Sequence, residues 1–219
     1  LGERVGLVDR ASVDASGETG GGTVLIGGDY QGRNAAIQNA QATYVSPDAT
    51  IASNANQNGD GGKVIVWGND FARVYGTISA HGGAQGGDGG FIEASGHSLD
   101  VAGARVDASA PSGQTGQWLL DPNNVEIRPG TGTASNISTG VSPWTTSGNS
   151  AAVYADTIKT TLANGTDVTI TTARAVPDSE AGDIELKAGA LIAPVLGGPR
   201  TLTLNAHGSI VLGTGAQIS

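Results

Sequence analysis

The chain has 219 residues, enough to bury a substantial core in one domain or one run of repeats. Twenty acidic residues outnumber eleven basic ones, giving a net charge of −9, and the lysines form no cluster, so neither nucleic-acid binding nor attraction to an anionic membrane is expected. No apolar stretch approaches the roughly 18 residues of a membrane span, and the abundant glycines lack the strict G-X-Y period of collagen.

The first half of the chain contains four segments of one form: a short β-run, a glycine-rich turn and a second β-run. Glycine suits the turns because it adopts positive φ without a Cβ clash. The first runs are residues 13–16, 50–53, 77–80 and 105–109, the turns are residues 20–22, 59–62, 86–90 and 113–116, and the second runs are residues 23–26, 63–67, 91–94 and 117–120.

The spacing of these segments indicates stacked repeats. The last turn glycines are Gly22, Gly62, Gly90 and Gly116, so the intervals along the sequence are 40, 28 and 26. The two shorter intervals match one turn of a parallel β-helix, whereas the first indicates a longer loop or an additional coil. One repeat alone could not bury its inward side chains, so neighbouring repeats must stack.

The rhythm stops over residues 128–165, which we predict to be an irregular excursion packed against the side of the repeats. Within it, apolar residues at i, i+4 and i+8 (Tyr154, Ile158 and Leu162) predict a short helix from about Ser150 to Leu162. Ser150 can cap its start, and the following Asn-Gly pair, residues 164–165, suits its end.

Strands resume after the helix, where four runs alternate apolar and polar residues. Two-residue hairpin turns between matched strands are scarce, which favours a parallel arrangement over an antiparallel sandwich or barrel. We therefore predict an all-β chain that forms one right-handed parallel β-helix (a solenoid) over residues 1–219, with the loop-and-helix excursion inside it. The four later runs are residues 167–171, 183–186, 201–204 and 209–212.

Several of these segments resemble the filamentous-haemagglutinin-like exoproteins of two-partner secretion. The most specific is the block over residues 86–122, with GGDGGFIEASGH at 86–97, VDASAP at 106–111 and GQWLLDP at 116–122. LANGTDVTI at 162–170 and LTLNAHGSI at 202–210 are similar to later segments of proteins in that family.

This resemblance implies a structural and adhesive β-helical shaft of a secreted bacterial surface protein. Such a protein crosses the outer membrane through a dedicated partner pore and mediates attachment or aggregation. The implied partners are host-cell or surface glycans, other polysaccharide, or further copies of the protein. A passive spacer without its own ligand is an alternative, and so is a carbohydrate-active β-helix enzyme, either a polysaccharide lyase or a hydrolase.

Catalysis on such a scaffold needs convergent acids or calcium ligands with a base. Asp14 and Asp107 recur in equivalent Val-Asp-Ala-Ser steps, but turn formation accounts for both. His81, His97 and His207 are isolated along the sequence, and no hydrolase or zinc-protease motif occurs. We therefore predict no catalytic residues and no enzymatic activity.

We also predict no cofactor and no metal site. Asp60 and Asp88 lie in glycine-rich turns that resemble fragments of a calcium-binding nonapeptide, but the step from one to the other is about three times the period of that motif. Tight-turn geometry accounts for both residues without an ion.

Aromatic and asparagine side chains supply the remaining candidates. Trp67 and Trp118 lie in β-runs and are predicted to pack in or beside the core, whereas Trp144 lies in the irregular excursion and is the better candidate for a ligand contact. Asn136 and Asn164 match the N-x-S/T acceptor pattern and are candidate glycosylation sites.

Overall fold

A computed structural model describes residues 1–134, 144, 151–172, 180–193 and 199–219. The described chain is mostly β-strand with little helix, which confirms the predicted all-β class. The strands before the excursion are β1 Arg4–Leu7, β2 Ser12–Asp14, β3 Thr23–Ile26, β4 Ala42–Val45, β5 Thr50–Ala52, β6 Lys63–Val74, β7 Thr77–Ser79, β8 Phe91–Asp100, β9 Arg105–Asp107, β10 Gln117–Asp121 and β11 Val125–Arg128.

The later elements include one α-helix within the described residues. They are β12 Ala151–Tyr154, α1 Ala155–Ala163, β13 Asp167–Thr171, β14 Ile184–Leu186, β15 Leu191–Ile192, β16 Leu202–Asn205, β17 Ile210–Leu212 and β18 Gln217–Ile218. All four strands predicted after the helix are therefore present, as β13, β14, β16 and β17.

Neighbouring strands pair in parallel between equivalent positions of successive repeats. Lys63 of β6 pairs with Phe91 of β8, and Phe91 pairs with Gln117 of β10. These steps, 63 to 91 and 91 to 117, equal the two shorter spacings of the turn glycines. Two parallel strands must be joined by a long connection. The spacing between turn glycines is therefore the number of residues from one strand to its parallel partner in the next repeat.

Strand alternation builds one continuous aliphatic core. Val64, Ile92, Trp118 and Val168 are cross-strand neighbours on β6, β8, β10 and β13, and all four are completely buried. Alternate residues of a strand face opposite sides of a sheet, so the residues between them face outward. Smaller strands contribute to the same core from a separate parallel sheet in the order β2-β5-β7-β9.

The long first interval of the repeat contains a longer loop. Residues 27–41 separate β3 from β4, whereas the equivalent positions of the next repeat lie within the single strand β6. We name residues 27–41 the insert. It crosses the outward face of the sheet, because Gln31 near its middle hydrogen-bonds to Glu93 of β8 and to Asp121 of β10.

The helix begins later than predicted. Residues 151–154 form β12, which pairs in parallel with β11 from Val125↔Ala151 onward, so pairing with a distant strand prevails over local helical periodicity. Tyr154 is the N-cap residue, and its side chain makes no capping hydrogen bond. The predicted cap, Ser150, lies outside the described residues.

The remainder of the helix prediction is confirmed. Ile158 and Leu162 are buried, Asn164 is the C-cap, and Gly165 has φ +99°, a left-handed value that suits glycine at a helix end. The helix contacts both β9 and β15. It thus lies between the last strand of the β2-β5-β7-β9 sheet and the first strand of the separate β15-β18 sheet.

Candidate functional site

An open groove of about 810 Å³ lies where the glycine turns meet the starts of β3, β6, β8 and β10. Its side chains come from cross-strand neighbours, because Thr23 pairs with Lys63, Lys63 with Phe91, and Phe91 with Gln117. We name it the Tyr30 groove. It is lined by these four residues, by Tyr30, Asp60, Asp88 and Thr115, and by the glycines at positions 21, 22, 61, 62, 89, 90 and 116.

The glycines give the groove a surface without side chains. A Cβ on Gly62 would overlap the carbonyl oxygen of Gly22, and a Cβ on Gly90 would overlap that of Gly62. A Cβ on Gly116 would likewise overlap the carbonyl oxygen of Gly90. Successive turns are therefore packed backbone against backbone. Because this packing requires glycine, the same part of the groove has no side chains and is flat.

Tyr30 projects from the insert and forms one wall. Its residue surface is 43% exposed, and its ring meets Phe91 edge to face with centroids 5.8 Å apart. The Lys63 ammonium lies 6.0 Å from the centroid of the same ring. A surface tyrosine with an apolar ring and a polar hydroxyl is well suited to contact a ligand that is itself amphipathic.

Asp29 anchors the residue before Tyr30. Its carboxylate accepts the Tyr30 backbone N–H at 2.7 Å, the Asn34 side-chain amide at 2.9 Å and the Lys63 ammonium at 2.7 Å. The hydrogen bond from Asn34 and the contact with Lys63 hold the pKa of Asp29 well below its ordinary value. Lys63 is thereby held in an ion pair at the edge of the groove.

Gln31 anchors the residue after Tyr30 in an unusual backbone conformation. Its φ is +53°, a left-handed value that is uncommon outside glycine. Its backbone N–H donates to the Glu93 carboxylate at 3.1 and 3.3 Å, and its side-chain amide donates to Asp121 at 3.0 Å. Such strain persists where surrounding contacts determine the conformation, and it concentrates at ligand and active sites.

Trp67 supports the insert from below. A Cβ on either Gly28 or Gly32 would collide with its indole ring, so the insert lies directly on that ring. The indole Nε1 donates to Asn69 at 2.9 Å, and Trp67 is 6% exposed. Trp67 thus packs beside the sheet beneath the insert.

Glu93 is fully buried under the insert. Burial raises its pKa to about 7, against smaller lowering effects of the Ser95 side chain and of the hydrogen bond from the Gln31 backbone. The nearby negative charge of Asp121 raises this pKa further. Gln31 therefore donates hydrogen bonds to two buried carboxyl groups, those of Glu93 and Asp121.

Asp60 and Asp88 use their side chains to join successive turns. Asp60 Oδ1 accepts the Asp88 backbone N–H at 2.7 Å, and Asp88 Oδ1 accepts the Gln114 backbone N–H at 2.7 Å. Each aspartate thus contributes to the turn of the following repeat. Within the described ranges, no group of three or more His, Asp or Glu side chains is arranged to hold a metal ion.

The structure keeps Asp14 and Asp107 apart, on the first and last strands of the β2-β5-β7-β9 sheet, but it brings Asp107 beside His81. Asp14 accepts the Ser16 backbone N–H at 2.8 Å and Asp107 accepts that of Ser109 at 2.9 Å, so both form the same local turn. Asp107 also lies 3.2 Å from the Nε2 atom of His81.

The other two histidines lie apart from this pair. His97 Nδ1 is 2.7 Å from the Asn123 side-chain amide, and its Nε2 is 3.6 Å from Glu180. The backbone N–H of His207 donates to the Thr172 hydroxyl at 3.0 Å. The structure thus gives each histidine different polar neighbours.

The remaining sequence candidates lie elsewhere. Trp118 is fully buried in the core, as its β-run predicted. Trp144 is partly buried beside Tyr44 and Tyr75, and a Cβ on Gly6 would lie 3.3 Å from its ring. Its role as a ligand contact remains a prediction.

The two candidate glycosylation sites are not part of the groove. Asn164 is exposed at the end of α1, which leaves it open to solvent for modification. Asn136 lies outside the described residues. Glycosylation of both therefore stays a prediction.

Sequence reasoning did not identify Tyr30, Gln31, Glu93 or Asp121 as site residues. The signal that points toward them is the first repeat interval, which exceeds the next one (40 against 28). That excess reveals an insertion. The path of the insertion across the sheet depends on contacts with strands that are distant in the sequence.

Comparison of the sequence with protein-family models and with curated proteins finds no match in either set. Within the part of the chain that the structure describes, no helix combines the length and apolar character needed to cross a bilayer.

Proposed function

We propose that this chain is a structural and adhesive module of a secreted bacterial surface protein, built as a right-handed parallel β-helix. The observation that carries the proposal is the parallel, residue-matched pairing of each repeat with the next around one aliphatic core. Such stacking produces a rigid element that can be extended by adding repeats. A rigid, extensible element can hold a binding surface away from the cell.

The acidic exterior supports this role in a long secreted protein. A net charge of −9 with few lysines favours solubility and disfavours nonspecific attachment to nucleic acid or anionic lipid. Together with the resemblance of residues 86–122 to two-partner exoproteins, it supports export through an outer-membrane partner pore and display at the cell surface.

A carbohydrate-active enzyme is the second candidate, because Glu93 and Asp121 are two carboxyl groups that both accept hydrogen bonds from Gln31 of the insert. Glycoside hydrolysis needs two carboxyl groups that reach opposite sides of the scissile bond. Glu93 is fully buried and accepts hydrogen bonds from Gln31, so its contacts favour anchoring the insert over acid-base chemistry. We therefore propose binding without turnover.

An attachment assay tests the adhesive role. Beads coated with the purified 219-residue chain are expected to adhere to epithelial cells or polysaccharide-coated surfaces above beads coated with an acidic protein of similar size. Release of reducing sugar or unsaturated products from polysaccharides such as pectin or alginate would support the enzyme instead. Adhesion no greater than the control, with no turnover, would leave the chain a passive spacer.

A further inference from the structure

We propose that the Tyr30 groove binds a non-acidic glycan chain laid across the strand starts. This inference rests on the proposed adhesive function and assigns it to one surface. The groove, the rigidly held tyrosine and the charge of the lining each bear on it independently.

The positioning of Tyr30 is the first argument. A tyrosine that is 43% exposed loses conformational freedom here, because Asp29 binds its backbone N–H and Gln31 fixes the following peptide group through Glu93. Gln31 does so in a positive-φ conformation that is unfavourable for a non-glycine residue. The ring itself packs edge to face against Phe91. A preorganised aromatic ring at the edge of an open groove loses little further entropy when a ligand stacks on it.

The lining matches the hydrogen-bonding chemistry of sugars. Asp60 and Asp88 offer carboxylate acceptors, Thr23 and Thr115 offer hydroxyls, and Gln117 has an amide that donates to Thr169 at 2.7 Å. A glycan presents many hydroxyl donors beside apolar C–H faces. Binding sites for such ligands combine an apolar surface with a few placed polar groups, as this groove does.

The shape of the groove fits an extended chain. Thr23, Lys63, Phe91 and Gln117 follow one another across four parallel strands, so three steps of about 4.8 Å give a length of about 14 Å. The flat, glycine-lined part has no side chains that would divide this length. A short run of linked sugar rings can therefore lie along it.

The charge of the lining disfavours the binding of acidic glycans. Asp60 and Asp88 are negative, whereas Lys63, the cation of the lining, is paired with Asp29 at 2.7 Å. A uronate or sulfated sugar would meet two carboxylates with no unpaired cation among the described lining residues to offset them. Neutral sugars and amino sugars meet no such repulsion.

Binding of defined oligosaccharides to the intact chain tests the proposal. The probes are neutral cello- and manno-oligosaccharides, chitosan oligomers and alginate oligomers, measured by calorimetry and affinity electrophoresis. We expect binding to neutral or amino glycans, and weaker binding to alginate. Tyr30→Ala should weaken the affinity about tenfold, whereas Tyr30→Phe should retain most of it because the stacking ring remains.

Two further variants separate recognition from folding. Val8→Ala removes an exposed apolar side chain outside the groove and should leave binding unchanged. The double variant Asp60→Asn/Asp88→Asn keeps the side-chain acceptors for the turn N–H groups but removes both charges. It should weaken neutral-glycan binding and narrow the discrimination against alginate. Circular dichroism and thermal unfolding identify any variant that fails to fold. If Tyr30→Ala does not fold, glycan binding by the Asn double variant tests the proposal.

The possible outcomes are distinguishable. Glycan binding that is unaffected by both Tyr30→Ala and the Asn double variant overturns the groove assignment but leaves the adhesive function standing. Tighter binding to alginate than to every neutral or amino probe also overturns the assignment. Cell or surface attachment without binding to any of the glycans overturns the groove alone, whereas absence of both attachment and glycan binding overturns the groove and the adhesive function together.

Discussion

The carboxylate of Asp60 accepts the backbone N–H of Asp88 at 2.7 Å, although 28 residues separate the two along the chain. The same contact recurs where Asp183 accepts the Ser209 N–H at 2.7 Å, 26 residues on. A side chain at each of these corners thus satisfies a backbone donor of the next repeat. Corner aspartates help to fix the alignment of successive repeats, in addition to the strand ladder.

We expect Asp60→Ala to lower the free energy of unfolding by about 1 kcal/mol, since it removes the acceptor of one backbone hydrogen bond. Asp60→Asn keeps an oxygen acceptor and should lose less than half of that. Urea unfolding of the three proteins measures the difference. Equal losses in the Ala and Asn variants would show that Asp60 contributes its charge and not the hydrogen bond.

The two ends of one turn differ sharply in their tolerance of a side chain. A Cβ on Gly90 would overlap the Gly62 carbonyl, whereas a Cβ on Gly86 would meet nothing within 4 Å. We expect Gly90→Ala to destabilise the chain by about 2–4 kcal/mol through backbone displacement. Gly86→Ala, the matched control, should be neutral or stabilising by up to about 1 kcal/mol. Similar unfolding midpoints for the two variants would contradict the backbone packing of these turns.

The buried Glu93 makes stability depend on pH. Its pKa is about 7 in the folded chain and 4.5 ordinarily, so between these values the folded chain retains a proton that the unfolded chain releases. The associated stability is fully present below pH 4.5 and is lost as pH rises through about 7, to a total of about 3 kcal/mol.

Glu93→Gln tests this dependence, because glutamine keeps an acceptor for the Gln31 N–H but does not ionise. The variant should flatten the fall in unfolding free energy between pH 4.5 and 7, as measured by urea titration at several pH values. It should also be more stable than the parent chain at a pH of about 8. A fall as steep as that of the parent would assign the pH dependence to other groups.

The His81–Asp107 pair acts in a neighbouring pH window. The Asp107 carboxylate, 3.2 Å from the His81 Nε2 atom, raises the pKa of His81 above 6.5, although partial burial opposes the shift. Stability from this pair is therefore present below pH 6.5 and is lost as pH rises through the higher folded-state pKa. Asp107→Asn should lower the pKa of His81 in an NMR titration. An unchanged titration midpoint would mean that the close approach of the two side chains has no electrostatic effect.

Local patterns predicted the elements whose causes are local. Glycine spacing located the turns and the strands after them, and the later alternating runs became β13, β14, β16 and β17. The strand β12 was missed because its formation depends on pairing with β11 across the intervening residues 129–150. Alternation along β8 puts Glu93 on the face opposite to the buried core residue Ile92, but a local pattern could not reveal that Glu93 is itself buried. That burial depends on where the insert lies.

Helix α1 stands where the β2-β5-β7-β9 sheet ends and before β15-β18 begins, so no backbone ladder among the described strands runs continuously through that side of the protein. When the molecule is pulled along the direction in which its repeats stack, the load at this level passes through the ladders β10–β13 and β11–β14. Between β9 and β15 the load is carried by the side-chain contacts of α1. We expect these contacts to break at a lower force than the backbone hydrogen bonds of a continuous sheet would. Mechanical rupture should therefore begin beside α1.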